Sequence, residues 1–253
     1  MSQQPAEAVA ATHRQILPLR QAYCREMNCQ IVHDSWHARG FLRSRLLRLA
    51  GDVVGYASAG APPSEEGCTI KEFYVLPRHR VEALRLFRLA LEASGADAVE
   101  AQTNDRLLLL MLLDTATNLR AERLLFADAE ATDLRAPGCV FRPLPPEERE
   151  RVFAHEHEPV GEYGLEVGGV VVATGGWACH YNPPYADLYM EVHAPHRRRG
   201  LGAYLVQQSK RVCREAGYEP AARCAAANVA SRRTLERAGL FPCARIVRGD
   251  VPR

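Results

Sequence analysis

The chain reads twice, and this repetition constrains its fold more than any other feature. A proline-rich break, Ala136-Pro137-Gly138 followed by Pro143, Pro145 and Pro146, falls near the middle of the 253 residues. On its N-terminal side, residues 45–50 and 53–59 read as strands joined at Gly51-Asp52. On its C-terminal side, residues 163–167 and 170–175 do the same around Gly168-Gly169, a favourable two-residue hairpin connection. Each hairpin leads through a polar loop to a third strand, 70–76 or 186–192, followed closely by a proline. A helix comes next, marked by Leu84, Phe87 and Leu91 in the first copy and by Leu201, Leu205 and Val212 in the second. Gly95 and Gly217 stop these helices. A fourth strand (98–101; 221–226), an asparagine (Asn104; Asn228), a short helix and a last strand complete each copy. Such long-period repetition points to duplication of a unit of about 120 residues. The expected division is residues 1–135 and 136–253.

The stretch with the most chemistry is Glu191-Val-His-Ala-Pro-His-Arg-Arg-Arg-Gly-Leu-Gly-Ala-Tyr-Leu205. A strand is expected to end near Val192 and a helix to begin near Gly202. Between them, glycines allow a tight turn that aims successive backbone N–H groups at one point. The helix N-terminus adds roughly half a positive charge there, and Arg197, Arg198 and Arg199 add whole ones. Such a loop suits a pyrophosphate. The triphosphate motif G-x-x-x-x-G-K-[ST] and the dinucleotide motif G-x-G-x-x-G are both missing.

The pattern Arg197-x-x-Gly200-x-Gly202, set between a strand and an amphipathic helix, resembles the coenzyme A-binding motif of the GNAT acyltransferase superfamily. Downstream, Arg223-Cys-Ala-Ala-Ala-Asn228 and Thr234-Leu-Glu-Arg-Ala-Gly239-Leu240 extend the likeness. It covers residues 160–250 by motif and residues 45–130 by order of elements only. The resemblance implies an α+β (mixed α/β) fold: two tandem GNAT-like domains, each a mostly antiparallel mixed sheet flanked by helices. It implies acetyl-CoA as co-substrate, an amine acceptor, and coenzyme contacts from Val192, His193, Arg197, Arg198, Arg199, Gly200, Leu201, Gly202, Ala203 and Asn228. Asn228 would serve equally well as a helix cap. Aligning Pro77 with Pro195 sets Glu82 against Gly200 and Leu84 against Gly202, so the first copy is expected not to bind coenzyme A in the usual manner.

Acyl transfer to an amine requires a neutral nucleophile. A lysine-type amine sits about three units above neutral pH, so deprotonation costs roughly 4 kcal/mol, which a general base offsets in part. In the resembled family an acidic side chain near the end of the strand before the phosphate loop often fills this role. Glu191 is the candidate, alternating with Tyr189 and His193 onto one strand face. Backbone N–H groups near Val192 would polarise the acyl carbonyl. The tyrosine that many relatives use as the acid is Leu235 here; Ser231, Tyr181 and Tyr185 are unranked substitutes. Before the hairpin there is room for only one helix, roughly residues 146–155. The readings that compete with an acetyltransferase are a non-catalytic acyl-CoA-binding module and a transferase with a different acyl donor.

Composition removes other classes. The 32 basic and 30 acidic side chains leave a formal charge of +2, which gives no basis for a nucleic-acid partner. The aliphatic run from Leu107 to Leu113 is far short of the ~20 residues that span a bilayer. The N-terminal MSQQPAEAVAATHRQ has no basic start before an apolar stretch, so a cytoplasmic protein without a signal peptide is expected, as monomer or homodimer. The eight cysteines and nine histidines show no metal-ligand spacing, so no metal is expected and the cysteines read as buried thiols.

Overall fold

The computed structural model describes residues 4–252; the outermost residues of both expected domains, and the first three of the N-terminal segment, lie outside them. The chain forms two units. One runs to Glu122 and takes in the chain from Arg245 onward, and the other is Arg123–Ala244. The expected boundary at 135/136 differs from this division. The chain changes unit within two continuous strands, β6 (Thr117–Asp128) and β12 (Leu240–Asp250). The prolines of the break border or end a strand, residues 139–143, at the sheet edge of the second unit, where a missing N–H is tolerated.

In the first unit, β1 (Ala6–Ala11), α1 (His13–Met27) and α2 (Asp34–Ala38) precede β2 (Leu42–Leu49), β3 (Asp52–Gly60), β4 (Thr69–Val75), α3 (Ala83–Ser94), β5 (Ala98–Gln102) and α4 (Arg106–Thr115). The sheet order is β1-β2-β3-β4-β5-β12. All pairs are antiparallel except β4 with β5. In the second unit, β7 (Cys139–Pro143), α5 (Pro146–Arg149), β8 (Tyr163–Val167), β9 (Val170–Ala178) and β10 (Tyr185–Val192) lead to α6 (Leu201–Glu215), β11 (Glu219–Ala225) and α7 (Val229–Arg237). Its order is β7-β8-β9-β10-β11-β6, again with one parallel pair, β10 with β11. The repeat therefore extends to topology. The mixed, mostly antiparallel sheet flanked by helices is the expected one.

The parallel pairs create the site. β10 and β11 are bonded only at Tyr185/Glu219, Ala186/Pro220 and Asp187/Ala221. Beyond Asp187 the strands part, leaving one backbone edge of β10 unpaired with β11 up to Val192. β4 and β5 part sooner, after Ile70/Val99. The helix that follows decides what fills each wedge. In the first unit α4 carries the run noted above, buries Leu107, Leu108, Met111 and Leu112, and packs on β4 and β5. In the second unit α7 is VASRRTLER, buries only Leu235, and packs on α6 and β11. An apolar helix closes the first wedge; a polar one leaves the second open.

Two features lie outside the sequence reading. Lys71 and Lys210, the only lysines, are both buried. Lys210 Nζ donates to the carbonyls of Glu130 and Ala238, each at 2.7 Å, and pairs with Asp128 at 2.7 Å. In the first unit, fully buried Glu72 accepts from Arg20 (2.9–3.1 Å) and the Tyr56 hydroxyl (3.1 Å) and lies 3.0 Å from His37 Nε2. Of the eight cysteines, Cys29, Cys213 and Cys224 are buried and Cys179 is exposed, so uniform burial does not hold. Among the described residues no helix is long and apolar enough to cross a membrane.

Candidate functional site

A cleft of about 620 Å³ lies in the second unit where β10 and β11 diverge. It is bounded by β10 (Met190, Glu191, Val192), the loop and first turn of α6, and α7. The loop geometry follows from its sequence. Arg198 (φ +64°) and Gly200 (φ +80°) both occupy the left-handed region, which turns the chain so that the first N–H groups of α6 face the cleft without helical partners. Gly202 is needed for a different reason. A Cβ there would lie 3.2 Å from Thr234 Cγ2 and 3.3 Å from Met190 Cε, so α6, α7 and β10 meet over a glycine. Asn228 caps α7, its side chain accepting from the Ser231 N–H at 3.0 Å, and also lines the cleft.

Of the expected coenzyme contacts, Val192, Arg197, Arg198, Gly200, Leu201, Gly202, Ala203 and Asn228 come together on the cleft. His193 and Arg199 lie outside its lining. The His193 ring stacks on Phe153 (4.8 Å) and the residue's backbone N–H donates to the Val172 carbonyl, so it belongs to the packing behind the loop. Arg199 is exposed, between two residues in the left-handed region. Arg197 has a task within the protein: its Nε donates to the Val192 carbonyl at 2.8 Å, and Nη2 lies 3.3 Å from Glu156 and 3.5 Å from Glu191. The first unit repeats this device, Arg80 Nε donating to the Val75 carbonyl at 3.1 Å, also across five residues. That register matches Gly200 with Ala83 and Gly202 with Arg85, one residue from the alignment on the prolines.

Sequence reasoning missed Arg233 and Arg237 of α7, which line the cleft; the Arg237 guanidinium stands 3.6 Å from a Cβ built on Gly200. Their spacing places them one helical turn apart on one face, a signal that was present once α7 was located. Among the candidate acids only Ser231 lines the cleft, whereas Tyr181 is 3% exposed and Leu235 is buried in the core.

Glu191 reaches the cleft, but its carboxylate is engaged. It accepts the backbone N–H groups of Glu156, His157 and Glu158, each at 3.0 Å. Burial pushes its pKa up, yet these three donors and nearby His155 outweigh burial and hold it below the ordinary range. The segment that donates them follows α5, which ends at Arg149 instead of continuing to 155. The rest of the expected helix is loop, and the residues after it are tied down by Glu191 and by the Gly161 N–H, which donates to Thr174 Oγ1 at 3.0 Å.

A splayed mixed sheet with a glycine-tight, arginine-lined loop at the mouth of the splay is an arrangement suited to an anionic ligand. Residues 129–240 match the acetyltransferase (GNAT) family. The whole chain is similar in fold to a GNAT-family acetyltransferase from Colwellia psychrerythraea (TM-score 0.73, 16% identity, 98% of this chain and 100% of that one). It is also similar to a GCN5-related N-acetyltransferase from Sphaerobacter thermophilus (TM-score 0.60, 16% identity, 98% and 96%). A tandem GNAT protein from the clavulanic acid biosynthesis pathway matches with TM-score 0.59 and 12% identity over 98% and 99%. No curated protein matches the chain.

Proposed function

We propose that the protein transfers an acetyl group from acetyl-CoA to an amine, with the chemistry in the second unit. The observation that carries this is the cleft itself: unpaired α6 N–H groups, Arg198, Arg233 and Arg237 converge on it, beside a β10 edge freed by the parting of β11. The residues fit a pyrophosphate-bearing ligand. The Gly202 cradle is space a Cβ would fill, and the arginines supply charge at exposed positions. When bound, the coenzyme supplies a thioester carbonyl open to attack by nitrogen.

Several tasks fall to the chain's own groups. The loop N–H groups and the α7 arginines neutralise pyrophosphate charge. Arg197, anchored on Val192 and Glu191, fixes the cradle against the strand. The free N–H groups of β10 near Val192 are placed to donate to an oxygen that gains charge in the reaction. Ser231, in the cleft wall, is the hydroxyl best placed to protonate the departing sulfur.

The first unit does not hold the coenzyme in this reading. Its wedge is filled by α4, and the space around His33, Lys71 and Glu100 is about 10 Å³, room for one water.

Calorimetric titration with acetyl-CoA tests the assignment by comparing the protein with Gly202→Glu. A carboxylate about 5 Å from a phosphate charge costs roughly 3 kcal/mol at an effective dielectric constant near 20, about a 200-fold weakening per charge. Unchanged affinity in a folded variant overturns it.

A further inference from the structure

The Glu191 carboxylate is bound by three N–H groups and an arginine, so it is poorly placed to take a proton from an acceptor. Other titratable groups lie near it. His155 has both ring nitrogens in use, Nδ1 beside the Glu158 carbonyl at 3.0 Å and Nε2 beside Thr174 Oγ1 at 3.2 Å. Asp187 is paired with His180 at 3.2 Å and Arg223 at 3.3 Å. Glu156 is paired with His157 and Arg197. Glu158 differs from all of these. It lines the same cleft as Glu191, and among the described residues its carboxylate has no hydrogen bond or ion pair. Its position is nevertheless fixed, because its backbone N–H donates to Glu191 at 3.0 Å and its carbonyl lies 3.0 Å from His155.

Resting on the acetyltransferase reading above, we propose that Glu158 is the general base, accepting a proton from a cationic amine that enters the cleft beside it. Glu191 is then a positioning residue that holds the Glu158 backbone. The cleft is lined by Arg198, Arg233 and Arg237 from the phosphate loop and α7, and by Glu158 and Glu191 from the loop after α5 and from β10, where Arg197 pairs with Glu191. A carboxylate without a partner in this wall suits an acceptor that is an ammonium ion in water. Partial desolvation, and the charge of Asp187, push the Glu158 carboxyl above its ordinary pKa, against Arg223; a raised value makes it the stronger base of the pair. The charged groups that face it are Asp187, Glu191, Arg223 and His157.

In the step, one ammonium N–H bond breaks and its proton passes to Glu158. The nitrogen lone pair forms the C–N bond to the acyl carbon, and the C–S bond breaks with its electron pair on sulfur. The second nitrogen proton reaches the thiolate through the Ser231 hydroxyl, which gives up its own proton and takes this one, and Glu158 returns its proton to water.

The test uses the full chain with acetyl-CoA and a set of primary amines (spermidine, tyramine, glucosamine), following thiol release for the wild type, Glu158→Gln and Glu158→Asp. At pH 7 Glu158→Gln is expected to lower kcat/KM about 10²–10⁴-fold, with acetyl-CoA affinity by calorimetry unchanged. The deficit should shrink toward pH 10, where the amine deprotonates itself, and Glu158→Asp should restore part of the rate. Carbon-13 NMR of the labelled carboxyl groups, assigned with Glu158→Gln and Glu191→Gln, should show Glu158 titrating above Glu191 in the free protein. A Glu158→Gln variant with wild-type kcat/KM, or a pH-independent deficit, overturns the proposal, as does Glu191 titrating higher. Coenzyme binding without turnover of any amine also overturns it. Failure to bind acetyl-CoA overturns the underlying reading instead.

Discussion

Replacing Glu191 by Gln probes the loop that brings Glu158 to the cleft. The carboxylate accepts three backbone N–H groups at 3.0 Å while only 6% exposed. A glutamine offers one carbonyl oxygen, which serves two of the three donors, and turns an NH2 group toward the third. One buried N–H is left unpaired, costing about 1–3 kcal/mol, and the remaining bonds lose their charge assistance, another kcal/mol or so. A local loss of about 3 kcal/mol corresponds to roughly 100-fold faster opening-limited exchange. Amide hydrogen exchange is the assay of choice, because two units of one chain need not unfold as one transition. The amides of Glu156, His157 and Glu158 should exchange about 100-fold faster in Glu191→Gln, while those of the β8–β9 hairpin stay protected. The pH dependence has a definite sign. Because the folded state lowers the Glu191 pKa, its contribution is complete above the unfolded value, about 4.3, and is lost as pH falls through the folded value. The variant should show no such acid step. Wild-type exchange at these three amides in Glu191→Gln refutes the reasoning.

Other perturbations follow from the same accounting of partners. Lys210→Met strands two carbonyls and leaves Asp128 with Arg214 as its remaining ion-pair partner; breaking a buried pair in this way costs about 3–5 kcal/mol, read as a large fall in the thermal midpoint of the second unit. In the first unit, burial pushes the Glu72 pKa up, but hydrogen bonds from His33 and His37 and the Arg20 charge outweigh it and hold the group well below the ordinary range. That stability is present above the unfolded carboxylate value and fades as pH falls through the folded one, so Glu72→Gln should be less stable than wild type at pH 7 and flatten the acid limb of thermal stability measured by circular dichroism. Arg237→Ala should weaken acetyl-CoA binding, measured calorimetrically, about 10-fold, the loss of one partly screened charge contact.

Local sequence determined a large part of this protein. Turn glycines at 51 and at 168–169, strand alternation, and the stops at Gly95 and Gly217 are signals carried within a few residues, and the elements they mark formed within a residue or two of expectation, save β2, which begins three residues early at Leu42, and β9, which runs on to Ala178. The anion loop was legible for the same reason, since a left-handed turn, a helix start and a cluster of arginines are local properties. The first 40 residues went unread: β1 pairs with β2 and α1 packs on β2, β3 and β4, so their placement depends on distant partners.

Tertiary structure decided which groups are available for chemistry. Sequence marked Glu191 as an acid at a strand end, but nothing local shows that residues 156–158, more than thirty positions earlier, fold over and occupy its lone pairs. The same holds for Arg197, which is turned back onto its own strand, and for Arg233 and Arg237, brought to the loop by a helix packed from elsewhere in the chain. The openness of a cleft is likewise a property of two surfaces. The leucines of α4 and the arginines of α7 were both visible in the sequence, but only their packing against parted strands makes one wedge a core and the other a site. Hydrogen-bond capacity and apolar area are fixed by composition; which partner uses them is fixed by the fold.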